Sequence, residues 1–310
     1  MANQFAATQG TINIDSHVDL LNKAIDVVWM RRNEFMGVLG RFFDKQTKQS
    51  GLTHIISSVG STLPLPVEND DQEALPYFSP APGFDKTFVL VRYRSGIRVT
   101  RTMLKADRFS RVAQMATGQL KSGFRKDEYL RAALFNNAFT GDDSADSKDM
   151  CDDSRPQENP EAGTWDNKGT GALSGANLHA LRLLARQMTD DQGDPDPVMP
   201  KTLLIPEDLE QTANELIGAT LKPATALNDP NVLLPGIEVV VSPYLSSATQ
   251  YFLIGDREGE DKGLHEIVLE DWVIRDNTPA NADIVLDKMV AATKTIGQTV
   301  TRNVMGSTGS

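Results

Sequence analysis

One cysteine in 310 residues, Cys151, leaves no partner for an intrachain disulfide and no multi-cysteine metal cage. Long hydrophobic runs are also missing; the apolar stretches reach only a few residues, too short to span a bilayer, and no membrane partner is expected. The opening MANQFAATQG has no basic region followed by an apolar run, so no secretory signal is read there. Histidine is scarce. His17, His54, His179 and His265 fall in four different elements without metal-ligand spacing. Ser174 sits in GALSGA, where the first glycine is one place too early for a nucleophile elbow, and it reads as the N-cap of the following helix. No Walker loop or G-x-G-x-x-G occurs. Cys151 lies in an acidic loop that disfavours its thiolate, the wrong setting for a nucleophile. No catalytic, cofactor-binding or metal residue is assigned, and no cofactor. A soluble α/β enzyme with a dispersed active site is the alternative of a different class.

Positive charge is short overall, with 31 Lys+Arg against 42 Asp+Glu and a net −11, which argues against a general nucleic-acid binder. With 40% hydrophobic and 24% charged residues, the chain is an ordinary globular one of one large or about two domains. The charge is uneven. Residues 1–91 carry a net −3, residues 92–131 a net +8 and residues 132–310 a net −16. A solvated helix face explains such a band blandly. Complementarity between copies explains it more sharply, the basic band of one subunit meeting acidic surface on the next.

Residues 15–43 read as an amphipathic helix, with Val18, Leu21, Ile25, Val28, Phe35, Leu39 and Phe42 on one stripe and Ser16 as its cap. About 27 residues make a rod of roughly 40 Å. Two β-rich runs follow, THIISSVGSTLPLP and KTFVLVRYRSGIRVT, the second with Phe88 and Leu90 turned outward against Val89 and Val91. The proline-rich stretch between them reads as a loop, so 51–100 looks like an extended hairpin. A two-stranded hairpin is marginal alone and should rest on a neighbouring subunit.

A second long helix is expected over 101–139. Its stripe of Phe109, Val112, Ala116, Leu120 and Phe124 gives way, near Gly118 and Gly123, to an offset stripe of Leu130, Leu134 and Ala138. A helix that touches different bodies along its length needs such a rotation. Residues 140–172 read as a solvated acidic surface loop whose spacing fails the calcium-loop pattern. An α/β stretch follows: a helix through Leu178, Leu181, Leu184, Ala185 and Met188, a strand 201–205, and a helix opened by Pro206. Strands are expected at 237–241, 251–254 and 265–274, then a long β segment over 282–300 and a flexible GSTGS tail.

This order of elements resembles the major capsid proteins of tailed bacteriophages with the Hong Kong 97 type (HK97-like) shell fold. The likeness is best in DEYLRAALFNNAF at 127–139, in PKTLLIPEDLEQTANELI at 200–217 and in LPGIEVVVSPYLSSATQYFLIGD at 234–256. The resemblance implies an α+β fold with five parts. These are an N-terminal arm at 1–50, an extended loop at 51–100, a spine helix with peripheral-domain loop at 101–172, an axial domain at 173–265 and a C-terminal β segment at 266–310 returning to the peripheral domain. It implies a non-enzymatic shell subunit that assembles with copies of itself, as pentamers and hexamers, around double-stranded DNA contacted only weakly and nonspecifically. An encapsulin-type compartment is the alternative within the fold. Family members that cross-link use a loop lysine; 65–85 contains none, and that chemistry is not carried over. The hairpin begins near residue 51, which leaves no room for a built-in scaffold segment, so a separate scaffolding protein is expected, with a portal and a possible decoration protein. The expected location is the virion capsid, assembled in the host cytoplasm. Candidate inter-subunit contacts are Val18, Leu21, Ile25, Val28, Phe35, Leu39, Arg92, Arg94 and Arg98.

Overall fold

The computed structural model describes residues 37–60, 82–100, 102, 110–141, 143–159, 163–190, 192–218, 236–256, 262–276 and 284–310. The chain divides into two compact units. One draws its described residues mainly from 92–126 and 270–293, the other from 38–91, 127–269 and 294–310.

The smaller unit contains β4 (Val91–Thr100) from Arg92 on, the first part of α1 (Ser110–Asn136), the end of β11 (Leu264–Asp276) and the start of β12 (Ile284–Gln298). Its core is Trp272, Val290 and Ala292, with Tyr93, Phe124 and Ile274 against them. Gly123 lets the helix approach closely: a Cβ there would stand 3.1 Å from the Trp272 ring.

The larger unit is built on a five-stranded sheet ordered β7 (Lys168–Gly169), β13 (Val304–Ser307), β10 (Tyr251–Asp256), β8 (Met199–Ile205), β9 (Glu238–Val241). Both faces are covered, and the strand alternation shows it. Tyr251, Leu253, Leu203, Ile205 and Met305 point to one side, where α2 (Gly175–Arg186) and α3 (Glu210–Ile217) bring Leu178, Leu181, Ala185 and Ala213. Phe252, Ile254, Leu204, Val240 and Val304 point to the other, onto Leu39, Phe42, Phe43, Ala132 and Phe135. Burial on both faces explains the near-continuous apolar runs LLI, EVVV and YFLI. Local signals hold here. Ser174 caps α2, its Oγ accepting the Asn177 N–H at 3.3 Å, and Pro206 precedes a 3₁₀ turn that leads into α3.

Along α1 the buried face serves first one unit and then the other: Phe124 joins the core of the smaller unit, whereas Ala132, Phe135 and Ala138 join that of the larger one. Of the expected second stripe only Ala138 is fully buried, Leu134 packing partly against the core and Leu130 staying half-buried, so the stripe runs through Ala132 and Phe135 instead. Phe109 and the side chains of Val112, Ala116 and Leu120 lie outside what is described.

Four expectations are corrected. First, no α-helix continues to residue 43. Leu39–Phe42 form a 3₁₀ turn and Asp44–Thr47 form β1, parallel to β11. Leu39 and Phe42 are buried in their own core, and the Leu39 N–H is accepted by Glu128 at 3.2 Å, so Leu39 is not a surface contact.

Second, the hairpin pairs β2 (Thr53–Val59) with β3 (Pro82–Val89), but the second β run is two strands, because Leu90 ends β3 and β4 joins a separate sheet ordered β1-β11-β12-β4. The facing is also reversed. Phe88 and Leu90 point inward onto Ile267, and Val89 and Val91 are exposed. The hairpin therefore has an apolar footing within its own chain.

Third, the GSTGS tail is not flexible. Val304–Ser307 pair antiparallel with β10 and parallel with β7, and Ser310 N–H is accepted by Thr170 O at 3.0 Å. Small residues permit this. A Cβ on Gly306 would lie 2.7 Å from Cys151 Sγ, and Gly309 takes φ +69° under the Thr249 carbonyl. Gly306→Val should therefore destabilise the subunit by about 1–3 kcal/mol through overpacking, read as a lowered urea midpoint.

Fourth, the acidic segment after α1 is core rather than solvated surface. Asp146, Met150, Cys151, Arg155, Trp165 and Asn167 are all buried. Arg155 meets Asp146 through Nε and Nη2, each at 2.9 Å, and lies with Arg302 over the Trp165 ring. Asn167 Nδ2 donates to Met150 O and Val304 O, tying the segment to β13.

Candidate assembly surface

The hairpin has two unlike faces because its register alternates side chains. Phe88, with Ile56 beside it, faces the Ile267 core. The opposite face carries Ile55 at 61%, Val59 at 68% and Val89 at 59% exposure, with Leu52 at 62% just before the first strand. Large aliphatic residues grouped this way on one face of a two-stranded hairpin are rare on a free surface and mark a contact site. Sequence reasoning placed the hairpin but not its wet face, since a one-residue change of facing exchanges the two sets.

Of the expected contact residues, Val18, Leu21, Ile25, Val28 and Phe35 lie outside the described residues, and Leu39 is core. Arg92, Arg94 and Arg98 alternate along one side of β4 and are exposed. Arg98 is engaged within the chain, its Nη2 3.0 Å from the buried Asp287 carboxylate. Arg92 and Arg94 have no ion pair among the described residues.

The groups that carry chemistry elsewhere are used structurally here. His265 is buried with Nε2 3.0 Å from Thr299 Oγ1, and His54 Nε2 lies 3.2 Å from Gln46 Oε1. Cys151 sits under Gly306, and burial pushes its thiol up to about 12, with nearby Arg155 and the Gly306 N–H pulling only weakly the other way. Burial, not the acidic neighbours, is the main cause. Cys151 should therefore resist a thiol reagent at pH 8 in the folded subunit and react at once in denaturant; rapid native labelling would contradict its placement. Among the described residues no cluster of three His, Cys, Asp or Glu could hold a metal, and no helix is long and apolar enough to cross a membrane.

The described residues offer an apolar hairpin face on the larger unit and exposed arginines on β4 of the smaller one. A family model described as phage capsid protein matches residues 85–301, more than two-thirds of the chain. No curated protein sequence matches. Among solved structures, the capsid of the cyanophage P-SCSP1u superposes with a TM-score of 0.57 at 12% identity, covering 86% of each chain. The capsid of Ralstonia phage GP4 gives 0.55 at 11% identity over 86% of each chain. A virus-like particle from Pyrococcus furiosus gives 0.52 at 10% identity, covering 94% of this chain and 98% of that one. The chain belongs to the phage capsid protein family, the shell-forming major capsid proteins of tailed phages with the Hong Kong 97 type fold.

Proposed function

We propose that this chain closes an icosahedral shell around double-stranded DNA from pentamers and hexamers, with the outward hairpin face and Arg92 and Arg94 laid against neighbouring copies. The exposed Leu52, Ile55, Val59 and Val89 carry this reading. Each hairpin seated on a neighbour buries apolar surface at a repeated interface, and shell closure multiplies modest contacts. The hairpin loop within 51–90, the spine helix within 101–172 and the axial domain at 173–265 supply the parts, with 1–50 as the arm and 266–310 as the returning β segment. A separate scaffolding protein, a portal and a possible decoration protein complete assembly in the host cytoplasm, and packaged DNA meets the shell only nonspecifically. The role is structural, with no reaction catalysed. A cargo compartment of encapsulin type shares the fold, but the family match over 85–301 favours the phage shell.

Ile55→Asp with Val89→Asp should leave the subunit folded, with its circular dichroism and melting temperature little changed, while large particles disappear from sedimentation profiles and negative-stain fields. Shells at normal yield from this variant would count against the hairpin contact. A wild-type protein that stays a monodisperse monomer across salt and concentration would sink the shell reading itself. Arg92→Glu with Arg94→Glu should likewise impair assembly more than folding. Arg98 is left intact in this test because it is engaged within the chain with the buried Asp287 carboxylate.

A further inference from the structure

The inward face of the hairpin is held to its own subunit at three successive points. At the base, Phe88 packs on Ile267. Halfway along, Lys86 Nζ donates to Asp143 O at 2.6 Å. At the far end of the described strands, Ser58 Oγ donates to Glu158 Oε1 at 3.3 Å. Ser58 lies roughly 17 Å along the strand from Thr53. A hairpin fixed only at its base can pivot; one pinned this far out cannot.

The chain is shaped to make the far contact. The β2–β3 register shifts between Ser57 and Val59, where Gly83 and Phe84 together oppose Ser58, and the Phe84 N–H donates to Ser58 Oγ at 2.9 Å. A bulge of this kind re-aims a side chain. Gly83 makes room for it, since a Cβ there would collide with the Ser58 carbonyl and hydroxyl oxygens. Glu158 is itself fixed. Its side chain is only 12% exposed, and Oε2 lies 3.4 Å from Arg302 Nη2. Arg302 in turn donates to Thr189 O at 2.9 Å and to Gln157 Oε1, and lies over the Trp165 ring. A hydrogen bond to a charged acceptor with little water around it is stronger than one on open surface.

Resting on the shell reading above, we propose that Glu158 is the positioning residue of the hairpin. Through Ser58 it sets, before any neighbour arrives, the direction in which Leu52, Ile55, Val59 and Val89 are presented. A hairpin already held in place loses little freedom on docking, so the contact with a neighbour forms faster and in one geometry. The anchor leaves the outward face clear, because inward and outward side chains alternate along both strands.

The test follows hydrogen exchange in unassembled subunits and particle growth by light scattering, both in the full chain. Glu158→Ala leaves Arg302 its bonds to Thr189 and Gln157, so the melting temperature should stay near that of the wild type. Amide exchange over 53–59 and 82–89 should rise about tenfold, and the rate of particle formation should fall about tenfold. Ser58→Ala, which cuts the same bond from the other side, should do the same. The double variant Ser58→Cys with Glu158→Cys should assemble slowly as it stands. Bridging it with a short bifunctional thiol reagent, which the buried Cys151 does not meet, should restore the wild-type rate. Single variants that assemble at the wild-type rate, or that assemble slowly without faster hairpin exchange, would overturn the proposal. So would a bridged subunit that folds but cannot assemble, since the hairpin must then leave this position. Any of those results beside normal wild-type particles removes this role alone; a wild-type chain that forms no particles removes the shell reading with it.

Discussion

Arg155→Met should cost the subunit about 3–5 kcal/mol, a large share of the roughly 5–15 kcal/mol that holds a typical domain together. Arg155 is fully buried and its guanidinium is engaged on every nitrogen. Nε and Nη2 hold the two oxygens of Asp146, and Nη1 donates to Met150 O and Thr301 Oγ1, all at 2.9 Å. Removing it strands a carboxylate whose side chain has no solvent exposure and takes one donor from Met150 O and from Thr301 Oγ1. The stacking on Trp165 at 4.8 Å goes with it. Lysine cannot rescue the site, because a single ammonium cannot reproduce the planar fork. The double variant Arg155→Met with Asp146→Leu should recover much of the loss, since it buries no orphan charge. Urea midpoints of unassembled subunits give all four corners of the cycle. A single variant that unfolds at the wild-type midpoint would refute the account.

Lys294→Met should be comparably severe, at about 3–5 kcal/mol. Lys294 is buried with Nζ 2.5 Å from Asp127 Oδ2 and 3.4 Å from Glu266 Oε1. Arg131 completes the group, bonding Glu266 at 2.5 Å and Glu128 at 2.6 Å. Asp127, Glu128 and Glu266 meet Lys294 and Arg131 here, and Lys45 also acts on Glu266; deleting Lys294 removes a cation that two of these buried carboxylates contact. Glu266→Gln removes a carboxylate instead and leaves both cations a partner, so it should be milder.

The same group sets an acid limit. Burial alone would raise the Glu266 carboxyl, but Arg131 and Lys294 outweigh it and hold it below the usual glutamate range. Its contribution to stability is therefore fully present above the unfolded value, about 4.3, and is lost as pH falls through the lower folded value. Urea midpoints should decline across that window in the wild type and less steeply in Glu266→Gln. Parallel declines would show that other carboxylates carry the acid limb.

Much of the fold was legible because its signals are local. The Ser174 cap, the Pro206 helix start and the β runs at 53–59, 199–205, 251–256 and 264–276 depend on neighbours a few residues away. The offset between Phe124 and the stripe through Ala138 likewise follows from helical geometry, and it foretold a helix serving two cores. The acidic segment misled for the opposite reason. Composition reads Asp146 as solvated, whereas its partner Arg155 and the acceptors on Met150 and Thr301 form a polar network only once Thr301, 146 residues from Arg155, is in place.

By itself the sequence determined most element types, their order, the charge partition of −3, +8 and −16, and the order of elements that resembles phage capsid proteins. Tertiary structure alone decided which side of the hairpin is wet, that Leu39 is core, and that a Gly- and Ser-rich tail is an interior strand. Propensity and periodicity act over a few residues, but burial is conferred by whatever packs on top. For Phe88 that is Ile267, and for Gly306 it is Cys151 and Phe252, all far away in the chain.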